Sequence, residues 1–205
     1  MADANDPVVL VVEDEPDVAD TYQLWLDADY DVRIAEDGSA ALEAVDETVD
    51  VVLLDRMMPE MSGDEVLATI RERGLDCRVA MVSAVDPDFD ILEMGFDDYV
   101  TKPPDGERLR EVVAELVEWG ELAEDVRQYR SLVSKRAALE AEKTDAQLAG
   151  SDEYEALVER IAATEADLDA DADRFLDDVE FVGAIRELAG EEESDEHDAD
   201  AGEGP

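Results

Sequence analysis

The chain has 205 residues, with 60 Asp+Glu against 16 Lys+Arg and a formal net charge of −44. Hydrophobic residues make up 45%, enough to build a core, and no window approaches the ~18 consecutive apolar residues of a membrane span. One cysteine (Cys77) and one histidine (His197) exclude an internal disulfide and a Cys/His zinc site, and the histidine lies in a run too polar to support a catalytic triad.

Residues 1–120 alternate short apolar runs with amphipathic stretches. Val8–Val12 is continuous and β-branched, as a strand buried on both faces requires. Pro16 opens a helix that runs through Leu24 and Leu26. A strand over Asp31–Ala35 and a helix from Asp37-Gly38 with Ala41, Leu42 and Val45 come next. Residues 51–54 form a third strand ending at Asp55, and 63–73 a helix with Val66, Leu67 and Ile70 on one face. The spacing then predicts a strand over 79–82, a short helix over 87–94 and a strand over Asp98–Thr101. Asp105 caps a last helix carrying Leu109, Val112, Val113 and Leu116. The expected architecture is α/β: a (βα)5 doubly wound, parallel five-stranded sheet with helices on both faces.

Beyond residue 120 the strand signals stop. Trp119, Leu122, Val126, Tyr129, Val133 and Leu139 recur at helical spacing, Gly150-Ser151-Asp152 makes a break, and Tyr154, Leu157, Ile161 and Leu168 resume the pattern. A third apolar stretch covers 175–188, and residues 190–205 read as an acidic disordered tail. The expected division is 1–120, 121–189 (a helical hairpin with a further helix) and 190–205.

Residues 1–120 hold 33 acids and 8 bases, net −25; residues 121–205 hold 27 and 8, net −19. Only Lys102, Lys135 and Lys143 are lysines. This even, lysine-poor acidity resembles that of proteins from halophiles with molar salt in the cytoplasm, where self-repulsion is screened over about 3 Å. The first six residues lack the basic and apolar regions of a signal peptide, so a cytoplasmic location is expected.

In a parallel sheet, ligands bind at the carboxyl ends of the strands. Those ends carry Glu13-Asp14, Asp55, Ser83-Ala84 and Thr101-Lys102-Pro103. Clustered carboxylates need a cation, and oxygen ligands alone select a hard one such as Mg²⁺. A lysine and a hydroxyl beside them suit phosphoryl oxygens. The set fits Mg²⁺-assisted phosphoryl transfer onto a carboxylate.

These residues resemble the receiver domain of two-component response regulators. The resemblance spans residues 1–120: the acidic pair Glu13-Asp14, the acceptor Asp55 in Leu54-Asp55-Arg56-Met57-Met58-Pro59, then Gly63, Ser83-Ala84, Tyr99 and Lys102-Pro103. It implies a phosphoacceptor at Asp55 and Mg²⁺ held by Asp14, Asp55 and the Met57 carbonyl, with Glu13 assisting. It implies phosphoryl contacts from Lys102 and Ser83, and Tyr99 as the switch aromatic that follows Ser83. Such a chain accepts a phosphoryl group and switches an output; it is not a dedicated enzyme. Its partner is a sensor histidine kinase or phosphotransfer protein. Arg56 is free to pair with nearby acids, and apolar Met57 offers no amide to orient attacking water, so slow turnover is expected.

About residues 120–185 are similar to the HalX domain that follows receivers in halophilic archaeal response regulators, through the 129–139 stretch, the Gly150-Ser151 break and Tyr154-Glu155-Ala156-Leu157. Leu122, Val126, Tyr129 and Val133 admit either a seam with a second copy or an intramolecular helix pair. Arg127, Arg130, Lys135, Arg136 and Lys143 form the locally basic stretch. At ~100° per residue they scatter around the helix, so DNA contact gains no support from a single stripe. A docking scaffold without DNA contact is the alternative output. An aspartate-nucleophile phosphohydrolase is a remote one, since it needs a second aspartate where Met57 stands.

Overall fold

The computed structural model describes residues 6–120, 122 and 124–172. Those up to Glu165 belong to one compact unit, and the end of the last helix, from Ala166, belongs to a second. The strands are β1 (Val8–Val12), β2 (Asp31–Ala35), β3 (Val51–Asp55), β4 (Arg78–Ser83) and β5 (Asp98–Thr101). The helices are α1 (Pro16–Leu26), α2 (Gly38–Ala44), α3 (Gly63–Glu72), α4 (Gly106–Gly120), α5 (Glu124–Glu142), α6 (Asp145–Leu148) and α7 (Asp152–Ala172).

All pairings in the sheet are parallel, in the order β2-β1-β3-β4-β5. β3 and β4 are buried along their whole length, which explains the apolar runs 51–54 and 79–82 inside their polar ends. Val9, Val11, Leu53 and Val82 pack with Leu109, Val112 and Leu116 of α4 in the core. Each such fully buried side chain contributes roughly 1.5–3 kcal/mol over an exposed one. Local chemistry sets the helix starts. Pro16 occupies the first turn of α1. Asp37 accepts from the Ala40 amide at 2.8 Å, and Asp105 from the Arg108 amide at 2.8 Å. Ser62 and Glu65 form a reciprocal capping box on α3.

The helix expected over 87–94 is instead a single 3₁₀ turn, Phe89–Glu93, with Asp88 capping the Phe89 amide at 2.8 Å. Pro87 precedes it, Gly95 follows it, and the Met94 amide closes it on the Ile91 carbonyl at 3.1 Å. Ile91 is its buried anchor.

The apolar periodicity after Trp119 is also divided differently. α4 ends at Gly120, Leu122 sits in the connection, and α5 starts at Glu124. The buried stripe of α5 is Val126, Tyr129, Leu132, Lys135 and Leu139, with Val133 only partly buried. That stripe packs on β5 and the 3₁₀ turn, and the Tyr154 hydroxyl of α7 donates to Glu140 Oε1 of α5 at 2.5 Å. Ser151 Oγ accepts from the Tyr154 amide at 3.1 Å, so the expected break does cap α7. The apolar stretch over 175–188 and the tail over 190–205 lie outside the described residues. Among the described residues no helix is long and apolar enough to cross a membrane.

Candidate functional site

Strand register assembles the site. Val12 lies opposite Leu54, so the next residues, Glu13 and Asp55, emerge side by side. Asp55 lies opposite Val82, which places Ser83 one step further along β4. Ser83 pairs with Thr101, and the Lys102 amide donates to the Ser83 carbonyl at 2.8 Å. The four strand ends thus meet at the edge where the strand order reverses around β1 and β3.

Carboxylate oxygens of Glu13, Asp14 and Asp55 lie within 4.8 Å of one another. The Lys102 ammonium bridges two of them, donating to Glu13 Oε2 at 2.6 Å and to Asp55 Oδ2 at 2.8 Å. Glu13 is 1% exposed and Asp55 6%, while Asp14 is partly buried. Burial pushes the Glu13 carboxyl above its usual range, against the pull of Lys102 and with the push of Asp55. Burial alone would lower Lys102, but its hydrogen bonds to Asp55 and Glu13 hold it above the ordinary lysine value. The second Glu13 oxygen, Oε1, is buried and has no hydrogen-bond partner among the described residues. Three carboxylates against one ammonium leave a charge of −2, and an orphaned carboxylate oxygen needs a partner. The donor set therefore fits a divalent hard cation.

The β3–α3 loop holds the acceptor strand end. The Met57 amide donates to Asp55 Oδ1 at 3.0 Å, and the Gly63 amide to the Arg56 carbonyl at 2.9 Å. Arg56 pairs with Asp64 at 3.1 Å and also with Asp90, linking this loop to the 3₁₀ turn. The Met57 side chain is 63% exposed beside the site.

Ser83 and Tyr99 stand on the neighbouring strands and communicate through a residue that the sequence did not single out. The Val85 amide donates to Ser83 Oγ at 3.1 Å, and the Tyr99 hydroxyl donates to the Val85 carbonyl at 2.5 Å. Tyr99 is buried and its ring lies 5.8 Å from that of Phe96. An apolar residue in Ala84-Val85-Asp86 carries no signal of such a role. Cys77 is buried, and burial raises its thiol above the ordinary value, which leaves it unreactive.

The bases of α5 are likewise engaged. Arg127 pairs with Asp76 at 3.4 Å, and Arg136 with Glu140 at 3.8 Å. Arg130 lies 5.1 Å over the Trp119 ring. Lys135 donates to the Met94 carbonyl at 2.5 Å, and Lys143 pairs with Asp88 at 3.2 Å.

Residues 9–114 match the family model of the response regulator receiver domain, about half of the chain, and residues 118–185 match that of the HalX domain. A Haloferax volcanii protein described as a candidate transcriptional regulator is 52% identical over 139 residues, 67% of this chain and 24% of that protein. The alkaline phosphatase synthesis transcriptional regulatory protein PhoP of Bacillus subtilis is 40% identical over 100 residues, 46% of this chain and 42% of that protein. The chain thus spans less than half the length of these curated relatives. The crystal structure of the signal receiver domain of a candidate Luxo repressor protein from Vibrio parahaemolyticus superposes with a TM-score of 0.52 at 28% identity, covering 56% of this chain and 92% of that one. The chain belongs to the response regulator family, with a receiver domain at residues 9–114 followed by a HalX domain at residues 118–185.

Proposed function

We propose that this chain is a cytoplasmic phosphoaspartate switch: Asp55 accepts a phosphoryl group, and residues 121–189 form the output module. The observation that carries this reading is the Lys102 ammonium held between Glu13 and Asp55, beside a Glu13 oxygen that has no partner.

The donor is a phosphohistidine on a sensor kinase or phosphotransfer protein. An Asp55 oxygen attacks phosphorus, the bond from phosphorus to the donor's imidazole nitrogen breaks, and that nitrogen leaves with the electron pair. Mg²⁺, held by Glu13, Asp14, Asp55 and the Met57 carbonyl, supplies neutralisation of the phosphoryl charge when bound. Lys102 then exchanges its carboxylate partners for a phosphoryl oxygen, as a point charge. The Ser83 hydroxyl donates to a second oxygen, which withdraws Ser83 Oγ from the Val85 amide and loosens the Val85 carbonyl from Tyr99.

Incubation with Mg²⁺ and a small acyl phosphate in molar potassium chloride should give an acid-stable, base-labile label. Asp55→Asn and chelation of Mg²⁺ should each abolish it. Equal label on Asp55→Asn would remove the reading.

Turnover of the phosphoaspartate is expected to be slow, because Met57 presents an exposed thioether where a polar group would orient water. Met57→Asn should shorten the lifetime of the base-labile label by about tenfold, less than the ~100-fold or more of full general acid–base assistance. Decay no faster than in the parent would contradict this.

For the output, the engaged bases of α5 favour protein docking, by the helices or a second copy, over DNA contact through that helix. A phosphorylation-dependent change in sedimentation without a DNA-dependent one is the expected result.

A further inference from the structure

We propose that the protein carries a second site, for a small multivalent oxyanion, in the cavity between the start of β4, the 95–97 turn, α5 and α7. The site stands at the opposite end of the sheet from Asp55. Arg78 opens β4 and Ser83 closes it, a separation of about 16 Å along the strand.

The cavity has a volume of about 430 Å³, within the range of small-molecule sites. Arg71, Arg78, Arg127, Lys135 and Arg160 line it, five of the 16 bases in the chain. Three acids join them: Asp76, Asp97 and Glu124. The lining is therefore net +2 in a chain of net charge −44.

Internal pairing leaves part of that charge uncompensated. Asp97 serves Arg71 at 2.8 Å and Arg78 at 3.4 Å, and also accepts from the Val79 amide at 2.8 Å. Asp76 is shared by Arg78 and Arg127. Two carboxylates thus serve three guanidinium groups. Arg78 is 7% exposed, yet its Nε has no acceptor among the described residues, and the Nε of Arg127 is buried and unpartnered as well. Lys135 meets a carbonyl and the face of Phe96 at 5.0 Å, but no carboxylate oxygen. The Arg160 side chain is exposed and makes no hydrogen bond or ion pair among the described residues, and the Glu124 side chain makes none either. Burial, then the nearby Arg160 charge, pulls the Lys135 ammonium down to about 8. An oxyanion in this cavity would face Arg160 and Lys135 together, and would join α5 and α7 to the start of β4.

The test uses the full chain with sulfate as the probe, exchanged for chloride at constant ionic strength and followed by titration calorimetry and thermal unfolding. Saturable binding of one sulfate per chain is expected. Arg160→Gln, at an exposed position that the fold does not need, should weaken it about fivefold, the scale of one partly screened charge pair. Lys135→Met should weaken it further, and Lys102→Ala should leave it unchanged. A linear, unsaturated rise in melting temperature common to parent and Arg160→Gln would signal general exclusion of sulfate from the surface, and would overturn the proposal. Binding lost in Lys102→Ala but kept in Arg160→Gln would place the anion at the Asp55 cluster and overturn it equally.

Discussion

Gly63→Ala is expected to destabilise the protein by about 3 kcal/mol, the upper range for overpacking, and to disturb the acceptor loop. A Cβ at this position would stand 2.2 Å from the Asp55 carbonyl oxygen and 2.9 Å from the Arg56 Cα. Both obstacles are backbone atoms, so no rotamer change relieves the clash. The cause is close approach rather than conformation, since Gly63 is the first residue of α3 and only Gly74 and Glu60 have positive φ among the described residues. The first turn of α3 would have to lift off β3, breaking the hydrogen bond from the Gly63 amide to Arg56. Thermal unfolding in high salt should show a melting temperature lower by roughly 10 °C, from the usual scaling at this size. Acquisition of base-labile phosphate should slow in parallel. An unchanged melting temperature would mean that the β3–α3 loop yields freely.

The second large effect concerns Lys135. Its folded-state value of about 8 lies below the ~10.4 of an unfolded lysine, a gap worth about 3 kcal/mol. Between these values the unfolded chain binds more protons than the folded one, so this residue makes stability rise with pH from 8 towards 10. Below pH 8 the ammonium is charged in both states and its burial penalty is fully present. Other groups oppose the trend. Burial raises the Cys77 thiol, and it pushes Tyr22 up to about 12, so both favour unfolding as the pH climbs. The difference between parent and Lys135→Met isolates the lysine. At pH 7 the methionine variant should be the more stable, by roughly 1–3 kcal/mol once the lost bond to the Met94 carbonyl is allowed for. That advantage should shrink as the pH approaches 10. Denaturant unfolding at pH 7, 8.5 and 10 checks it, and a constant difference across the series would contradict the assignment.

The strands and the Glu13, Asp14, Asp55 and Lys102 cluster could be read before any coordinates. A parallel sheet imposes both an apolar run and a defined carboxyl end, so the sequence position of a residue just past such a run is nearly a spatial position. Val12, Leu54 and Thr101 each precede one of the clustered residues. Three features escaped. The 3₁₀ turn at Phe89–Glu93 is too short for periodicity to distinguish it from a helix. The packing of α5 is a tertiary fact: its stripe includes Lys135, which no apolar pattern counts, and excludes Val133 from full burial. The Val85 link between Ser83 and Tyr99 depends on one amide and one carbonyl, which every residue possesses.

The placement of the three lysines has a consequence for chemical labelling. Lys102 is 15% exposed, Lys143 16% and Lys135 5%, and each meets a carboxylate or a carbonyl oxygen. Apart from the α-amine, the protein offers almost no reactive primary amine to solvent. Acylating reagents that decorate most proteins indiscriminately would here report on three defined places: the phosphoacceptor cluster, the cavity under α5, and the contact of Lys143 with the 3₁₀ turn. Each modified lysine would mark the opening of one of them.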